Sequence, residues 1–295
     1  MLAKRLLEMP TIQRSNAMRT FVTAAWLGWQ IESNWTDPFL FAIYSIARPL
    51  SSIAILVVMY NVITDGAMDD PLFAFIYLGN ALYILVAQVM TGVSWSIIDD
   101  REHYRTMKQL HTAPMNSYFY LLGRGVARFT IACIALVITL SAGVLFFKLP
   151  LTLSEINFPL LVVTFIAGII TIACMGLTLG AFTLFAGRHA FSLGDAFSGA
   201  MFLFTGAIFP LDVLPGWMQP IGYVFPPTYW LELMRRGILG DQMARFETFN
   251  SFTTNELLII VLSLMVVMAV ASHKFYAWAL NRARYLGVID EQTNY

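Results

Sequence analysis

Residues 157–186 read NFPLLVVTFIAGIITIACMGLTLGAFTLFA, a stretch without one charged side chain. A helix needs about 20 largely apolar residues to cross roughly 30 Å of hydrocarbon. Five other stretches meet this requirement: Phe39–Ile63, Leu72–Ile98, Tyr118–Phe147, Phe191–Leu214 and Asn255–Leu280. Together with Asn157–Ala186 they predict an all-α polytopic membrane protein with six transmembrane helices.

The composition agrees with this class. Hydrophobic residues make up 58% of the 295 residues and charged residues 12%, against about 25% charged in an average soluble domain. The formal net charge is zero, so the total charge points to no partner. Cys133 and Cys174 fall inside predicted spans, where two buried thiols are expected rather than a disulfide.

The distribution of positive charge predicts the orientation. One side of the predicted membrane has the larger share of the lysines and arginines: Lys4, Arg5, Arg14, Arg19, Arg101, Arg105, Lys108, Arg124, Arg128, Arg188, Lys274, Arg282 and Arg284. The other side has Lys148, Arg235, Arg236 and Arg245. Because Lys and Arg accumulate in cytoplasmic segments, we expect a multi-pass protein of the plasma (inner) membrane with both termini in the cytoplasm.

Residues 1–38 differ from the spans and are predicted to form a cytoplasmic N-terminus with an amphipathic interface helix. Met18, Val22, Ala25 and Trp29 recur at helical spacing, with polar residues largely on the other face. Together with Trp26 and Trp35, this face suits the headgroup layer of a membrane. The alternative is an ordinary buried helix.

The connection between spans two and three is short and charged. Asp99 or Asp100 suits a helix N-terminus, and Pro114 stops a helix. We therefore predict a short cytoplasmic helix within residues 99–114, with Met107 and Leu110 on its apolar edge.

Span five is followed by an apolar but broken segment. Prolines and glycines interrupt residues 206–229, yet Trp217–Gly240 stays fairly apolar. Two half-helices that dip into the outer leaflet explain this combination, because broken backbone at membrane depth must be buried in protein or face a cavity. We predict a re-entrant outer helical hairpin over residues 215–245, the candidate outer gate. The alternative is a seventh span over Trp217–Gly240, which conflicts with the charge distribution.

Residues 39–295 are predicted to be one membrane domain. The sequence has no Gly-x-x-x-x-Gly-Lys-Ser/Thr loop for nucleotide phosphates, so ATP hydrolysis on this chain by that route is not expected. His103 and His111 are eight residues apart with no third ligand nearby, so a zinc site is not expected. No cofactor and no nucleic-acid partner is predicted.

Two groups of motifs resemble the permease subunit of an ABC-2 type exporter. The first is Thr106-Met107-Lys108-Gln109-Leu110 with Pro114, similar to the family's Gly-Thr-Leu-Glu-x-Leu…Pro coupling segment. Arg105 stands where the family usually has Gly, and Lys108 where it often has Glu. The second group runs through Phe209-Pro210, Leu214-Pro215-x-Trp217, Pro226-Pro227-Thr228-Tyr229 and Glu232–Arg235.

The resemblance implies a dimer of permeases, homodimeric or with a sister permease, and two cytoplasmic ABC ATPase subunits that carry ATP and Mg²⁺. It also implies that these subunits dock on the charged connection and on the amphipathic helix. The residues assigned to this coupling are Asp100, Glu102, Tyr104, Arg105, Met107, Leu110 and His111. We assign the translocation path or its gate to Arg48, Asp195, Phe209, Pro210, Pro226, Pro227, Tyr229, Glu232 and Arg235.

Two pairs of these residues are candidates for ion pairing. Arg48 lies inside span one, where a charge costs about 2.5–3.5 kcal/mol and should face a cavity or a partner. It is predicted to line the path or to pair with Asp195; the alternative is an arginine satisfied by carbonyls near Pro49. Glu232 and Arg235 are spaced for an i,i+3 pair.

The expected function is outward transport of an amphipathic small molecule or a membrane lipid, with a lipid-linked polysaccharide as the alternative substrate. Two rival classes remain open. An integral-membrane lipid-modifying enzyme would need clustered carboxylates or histidines at the interface, and Asp99-Asp100 is the one adjacent acidic pair on the predicted inner side. An ion channel would need a selectivity segment, for which no stretch stands out.

Overall fold

The computed structural model describes residues 2–33, 37–65, 71–113, 115–147, 149, 156–186, 190–240 and 248–287, with side chains beginning at residue 17. The regular structure of these residues is helical. The helices are α1 (Leu2–Ser33), α2 (Pro38–Ile63), α3 (Pro71–Ile98), α4 (Met107–Thr112), α5 (Ser117–Phe146), α6 (Phe158–Thr183), α7 (Ala190–Phe204), α8 (Gln219–Val224), α9 (Pro226–Leu239) and α10 (Thr254–Leu286). A π-helical turn follows α3 at Asp99–His103, and a 3₁₀ turn lies at Leu211–Val213.

Five of the described helices are long and apolar enough to cross a membrane. They are α2, α3, α5, α6 and α10, and each begins within one residue of the predicted span. The predicted fifth span corresponds to α7, which is 15 residues long. Fifteen residues cover about 22 Å, less than the hydrocarbon thickness of roughly 30 Å. The sixth span therefore stays a prediction.

The predicted end of span five differs from the observed helix end. Span five was expected to run to Leu214, but α7 ends at Phe204 and the chain turns at Gly206, which has a φ of +72°. Glycine adopts this left-handed conformation at little cost. The residues after the turn are still apolar, which explains why hydropathy extended the span too far.

Helix α3 lies at the centre of the fold. It is buried along most of its length and packs against α2, α5, α6, α7 and α9. Close contact with α6 depends on small residues: a Cβ atom on Gly176 would lie 2.7 Å from the carbonyl oxygen of Met90. Small residues allow helix backbones to approach where lipid provides no hydrophobic driving force. A shift of α3 therefore affects most of the bundle.

Helix α1 packs along α5 through a different face from the apolar one that was predicted to lie in the headgroup layer. Ala24 and Gly28 are buried, whereas Met18 and Val22 are 65% and 58% exposed. The approach is close, because a Cβ atom on Gly28 would lie 2.8 Å from the carbonyl oxygen of Arg124. Both a protein-facing side and an exposed apolar side are thus present on the same helix.

Candidate functional site

The charged connection after α3, which we call the elbow (residues 99–112), is two helical pieces rather than one continuous helix. The amide of Tyr104 donates to the carbonyl of Asp99 at 2.9 Å, which closes a π-helical turn. Arg105 follows with a φ of +54°, and α4 begins at Met107. The predicted helix over residues 99–114 is interrupted at this point, and Pro114 lies outside the described residues.

Buried arginines anchor the elbow to two neighbouring helices. Arg101 donates from Nε to Oε1 of Glu102 at 3.0 Å and from Nη1 to the carbonyl of Thr183, at the end of α6, at 3.3 Å. A cation at this place complements the unpaired carbonyls of a helix C-terminus. Arg124 of α5 faces Asp99 and Asp100, with Nη2 lying 3.8 and 3.7 Å from their carboxylate oxygens.

An apolar contact also anchors the elbow. Met107 is 5% exposed and packs in a cluster with Tyr120, Leu121 and Tyr276, and Leu110 packs against that cluster. Burial of a side chain of this size contributes about 1.5–3 kcal/mol. The apolar edge predicted from Met107 and Leu110 therefore lies against α5, α6 and α10.

The exposed tip of the elbow consists of His103, Tyr104 and Arg105, and Tyr104 is 47% exposed. Of the residues assigned to coupling, Tyr104 and Arg105 are thus placed to touch another protein. Asp100 and Met107 are buried, and Glu102 is bonded to Arg101. The side chain of His111 lies outside the described part of the chain.

The second cluster of predicted site residues lies at the other end of α3. Phe75 and Gly79 contact Arg235, and the 20 residues from Gly79 to Asp99 correspond to about 30 Å of helix. This distance matches the hydrocarbon thickness of a bilayer. The two clusters therefore lie at opposite ends of a membrane-length helix.

Arg235 of α9 joins three helices. Its Nη2 donates to the carbonyls of Gly206 and Ala207 at 2.7 and 3.1 Å, directly after α7. Its guanidinium carbon lies 3.6 Å from the centre of the Phe75 ring of α3, within the range of a cation–π contact. Burial lowers the pKa of Arg235 to about 10, so the side chain stays charged at neutral pH.

Glu232 and Arg235 interact through their charges, but Glu232 accepts no hydrogen bond from Arg235. Glu232 instead accepts a hydrogen bond from Nε of Arg236 at 3.0 Å. Arg236 also donates to the carbonyls of Phe252 and Phe249 at 2.8 and 2.9 Å. Burial raises the pKa of the Glu232 carboxyl, and the charges of Arg235 and Arg236 oppose that rise. Arg236 thus holds the chain before α10 against α9.

The prolines and aromatics assigned to the gate join α8 to α9. Thr228 donates to the carbonyl of Gly222 at 2.7 Å, and Tyr229 donates to the carbonyl of Tyr223 at 2.8 Å. Pro226 and Pro227 begin α9. Proline loses no hydrogen bond there, because the first backbone amides of a helix have no intrahelical acceptor. Phe209 and Tyr229 both pack against a buried cluster that includes Leu211 and Leu257. The region of the predicted hairpin contains two short helices, α8 and α9. The re-entrant hairpin itself stays a prediction, and residues 241–247 lie outside the described part.

Asp195 is exposed on α7, and the side chain of Arg48 lies outside the described part of the chain. The predicted pair between them therefore stays a prediction. Ser192, Ala196, Gly199 and Ala200 are exposed on the same face as Asp195. This face consists of small side chains at helical spacing.

Sequence reasoning missed several residues that hold both clusters together. They are Glu32, Arg101, Arg124, Arg128, Arg236, Phe75 and Gly79. Arg124 and Arg128 gave a usable signal, since two arginines four residues apart inside an apolar span require polar partners. The sequence contains no such signal for Gly79, because its importance depends on its contact with Arg235 of α9, which is distant in the chain.

Long apolar helices around α3 define a multi-pass helical membrane protein. The model of the ABC-2 type transporter family matches residues 21–239. This match covers well over half of the chain, so the protein belongs to the ABC-2 type transporter family. The matched region contains the elbow and α9. A comparison with curated proteins gave no match.

Proposed function

We propose that this chain is the permease subunit of an ATP-binding-cassette exporter. The elbow lies on the cytoplasmic side and receives a separate ATPase subunit, and two copies of each protein form the transporter. The observation that carries this proposal is the elbow itself, with an exposed tip at Tyr104 and Arg105 on a firmly anchored base.

The anchoring supports a mechanical role for the elbow. It is continuous with α3, bonded to α6 through Arg101 and paired with α5 through Arg124. Because the elbow is connected to three membrane helices, a displacement of its tip moves all three. ATP binding and hydrolysis on the partner then supply the difference in stability between two arrangements of the bundle.

The opposite cluster supports the role of an outer gate. Arg235 fastens α9 to α3 and to the turn after α7, and α9 is too short to span the membrane. Movement of α3 or α7 therefore reaches α9. The exposed small-residue face of α7 around Asp195 lines the path between two permeases, which carries an amphipathic small molecule or a lipid outward.

The partner is tested by cross-linking at the tip. A photo-reactive amino acid at Tyr104 should give an adduct with a protein that has a phosphate-binding loop, when the tagged chain is purified from its own cells in mild detergent. The same group at exposed Asn250, near the opposite cluster, is the control and should give none. Vanadate-sensitive ATP hydrolysis should co-purify with the chain, and Tyr104→Ala with Arg105→Ala should reduce it.

Two outcomes contradict the proposal. One is labelling of Tyr104→Cys by a membrane-impermeant maleimide added outside intact cells. The other is ATP hydrolysis by the purified chain without a second protein. Transport is then tested in proteoliposomes with a fluorescent phospholipid and with ethidium as an amphipathic cation, and ATP-dependent movement of either probe identifies the substrate class.

A further inference from the structure

One turn of α5 carries two arginines that contact different parts of the chain. Nε of Arg128 donates to Oε1 of Glu32, on α1, at 2.6 Å. Nη2 of Arg124 lies 3.7 Å from Oδ1 of Asp100 and 3.8 Å from Oδ2 of Asp99, on the elbow. Residues four apart share a face of a helix. This turn therefore touches both the elbow and α1, the two surfaces on which the family resemblance implies that the ATPase docks.

The two contacts are satisfied to different degrees. The Glu32–Arg128 pair is closed, whereas the Arg124 contacts are longer than the 2.7–2.9 Å or so of a charge-assisted hydrogen bond. Nε and Nη1 of Arg124 and Oδ2 of Asp100 have no hydrogen-bond partner in the described part of the chain, although both side chains are buried. Buried charged groups without full hydrogen bonding are unfavourable. An approach of about 1 Å between the elbow and α5 would bring Nη2 of Arg124 within hydrogen-bond distance of both carboxylates.

The surroundings leave room for such an approach. A small polar cavity lies beside the Arg124 side chain, among residues that include Gly28, Glu32, Gly92, Asp99 and Arg128. The helices on either side are in direct contact with the same turn: a Cβ atom on Gly92 would lie 2.5 Å from Cγ of Arg128. A shift of α1 or α3 is therefore transmitted to this turn of α5.

We infer that Arg124 is a positioning residue with two arrangements, the open contact described above and a closed one in which its guanidinium hydrogen-bonds the carboxylates of Asp99 and Asp100. The ATPase closes the contact when it presses on the elbow. The Glu32–Arg128 pair makes α1 follow, so that the two docking surfaces move as one unit. This inference rests on the proposed function.

The inference is tested with two cysteine reporters at exposed positions, Gln109→Cys on α4 and Thr23→Cys on α1. Cys133 and Cys174 are replaced by alanine in this background. The rate of labelling by a hydrophilic maleimide is measured in the purified complex with its ATPase, without nucleotide and after trapping with Mg-ATP and vanadate. We expect trapping to change the rate at both reporters.

The variants separate the two contacts. Arg124→Gln should abolish the response at both reporters, because α1 follows the elbow through this turn of α5, and Arg124→Lys should restore part of it. Glu32→Gln should abolish the response at Thr23→Cys alone, and the charge exchange Glu32→Arg with Arg128→Glu should restore it. A merely structural role would reduce co-purification of the ATPase with Arg124→Gln, whereas we expect assembly at the parent level.

Three results overturn the inference while the proposed function stands. The first is that an ATPase co-purifies with the parent chain but trapping does not change the labelling rate at either reporter. The second is an Arg124→Gln variant that responds like the parent at both reporters. The third is a failure of both Arg124→Gln and Asp100→Asn to assemble with the ATPase, which assigns Arg124 a structural role. A parent chain that brings along no ATPase contradicts the proposed function itself.

Discussion

Gly79 of α3 faces Arg235 of α9 so closely that a Cβ atom on residue 79 would lie 1.9 Å from Nη2 of Arg235. The same atom would lie 2.0 Å from the carbonyl oxygen of Ala207, which accepts a hydrogen bond from Arg235. An arginine end can swing aside, but this one is held by two carbonyls and the Phe75 ring. At residue 79, where α3, α9 and the turn after α7 meet, there is thus space for the hydrogen of glycine but not for a methyl group.

Gly79→Ala should therefore destabilise the protein by about 1–3 kcal/mol, the range found for overpacked cores. The measurement is the melting temperature in detergent, followed by differential scanning fluorimetry. Gly199→Ala is the matched control, because Gly199 is also helical and an added Cβ would meet nothing within 4 Å. It should melt at or slightly above the parent temperature. Equal melting of both variants would show that Arg235 does not occupy this place.

Arg105→Gly should stabilise the elbow. Arg105 has a φ of +54°, a conformation that glycine adopts freely and that costs other residues about 1 kcal/mol or more. The matched control is Gln109→Gly in α4, where glycine should destabilise by about 1 kcal/mol. Hydrogen exchange of the elbow amides measures both effects. Faster exchange in Arg105→Gly than in the parent would contradict the assigned backbone conformation.

Arg236→Gln should make the free energy of unfolding depend more strongly on pH than it does in the parent. Burial already raises the pKa of Glu232, and loss of the Arg236 charge raises it further. At a pH between its ordinary and its raised pKa, such a carboxyl is mostly protonated in the folded state and mostly ionised in the unfolded state. Stability then falls as pH rises through that window. The melting temperature of the variant should thus recover on acidification from pH 7 towards pH 5, relative to the parent.

The control for this experiment is the double variant Glu232→Gln with Arg236→Gln. Without the carboxyl, the additional pH dependence should disappear, whereas the loss of the two carbonyl contacts of Arg236 remains. If the single and double variants show the same pH profile, another group is the source of the dependence.

Thr253→Ala should shorten or loosen the start of α10. Thr253 and Glu256 form a capping box, in which each side chain accepts from the other residue's backbone amide. Loss of such a cap costs about 1 kcal/mol. Exposed Ser251→Ala, two residues earlier, should change stability by no more than about 0.5 kcal/mol. Melting temperatures of the two variants in the same detergent measure the difference.

The long spans could be predicted because hydropathy is a local property. The predicted Leu72–Ile98 differs from α3 by one residue at its start, and α5 was placed within one residue at each end. The prediction failed at the end of α7, where Gly206 turns the chain among residues that remain apolar. A turn inside a continuous apolar stretch is stabilised by distant contacts, here the hydrogen bonds from Arg235.

The sequence located the elbow, whereas its role in coupling stays a prediction. Tyr104 and Arg105 do form an exposed tip, and the resemblance located the elbow through its motif. The usual glycine of the family at residue 105 also has a physical reason in the positive φ. Sequence reasoning treated Asp100 and Met107 as contact residues, but they are buried, since helical spacing alone does not tell which face meets neighbouring helices.

The sequence by itself determined the class of protein and the positions of the five long apolar helices, because each follows from nearby residues and the thickness of a membrane. Only the tertiary structure decided which charges meet. Glu232 has arginines three and four residues ahead, and both spacings permit a helical ion pair. Arg235 instead donates hydrogen bonds to the carbonyls after α7, and Arg236 donates to the Glu232 carboxylate. That choice depends on which helices lie alongside α9, and residues far apart in the chain fix it.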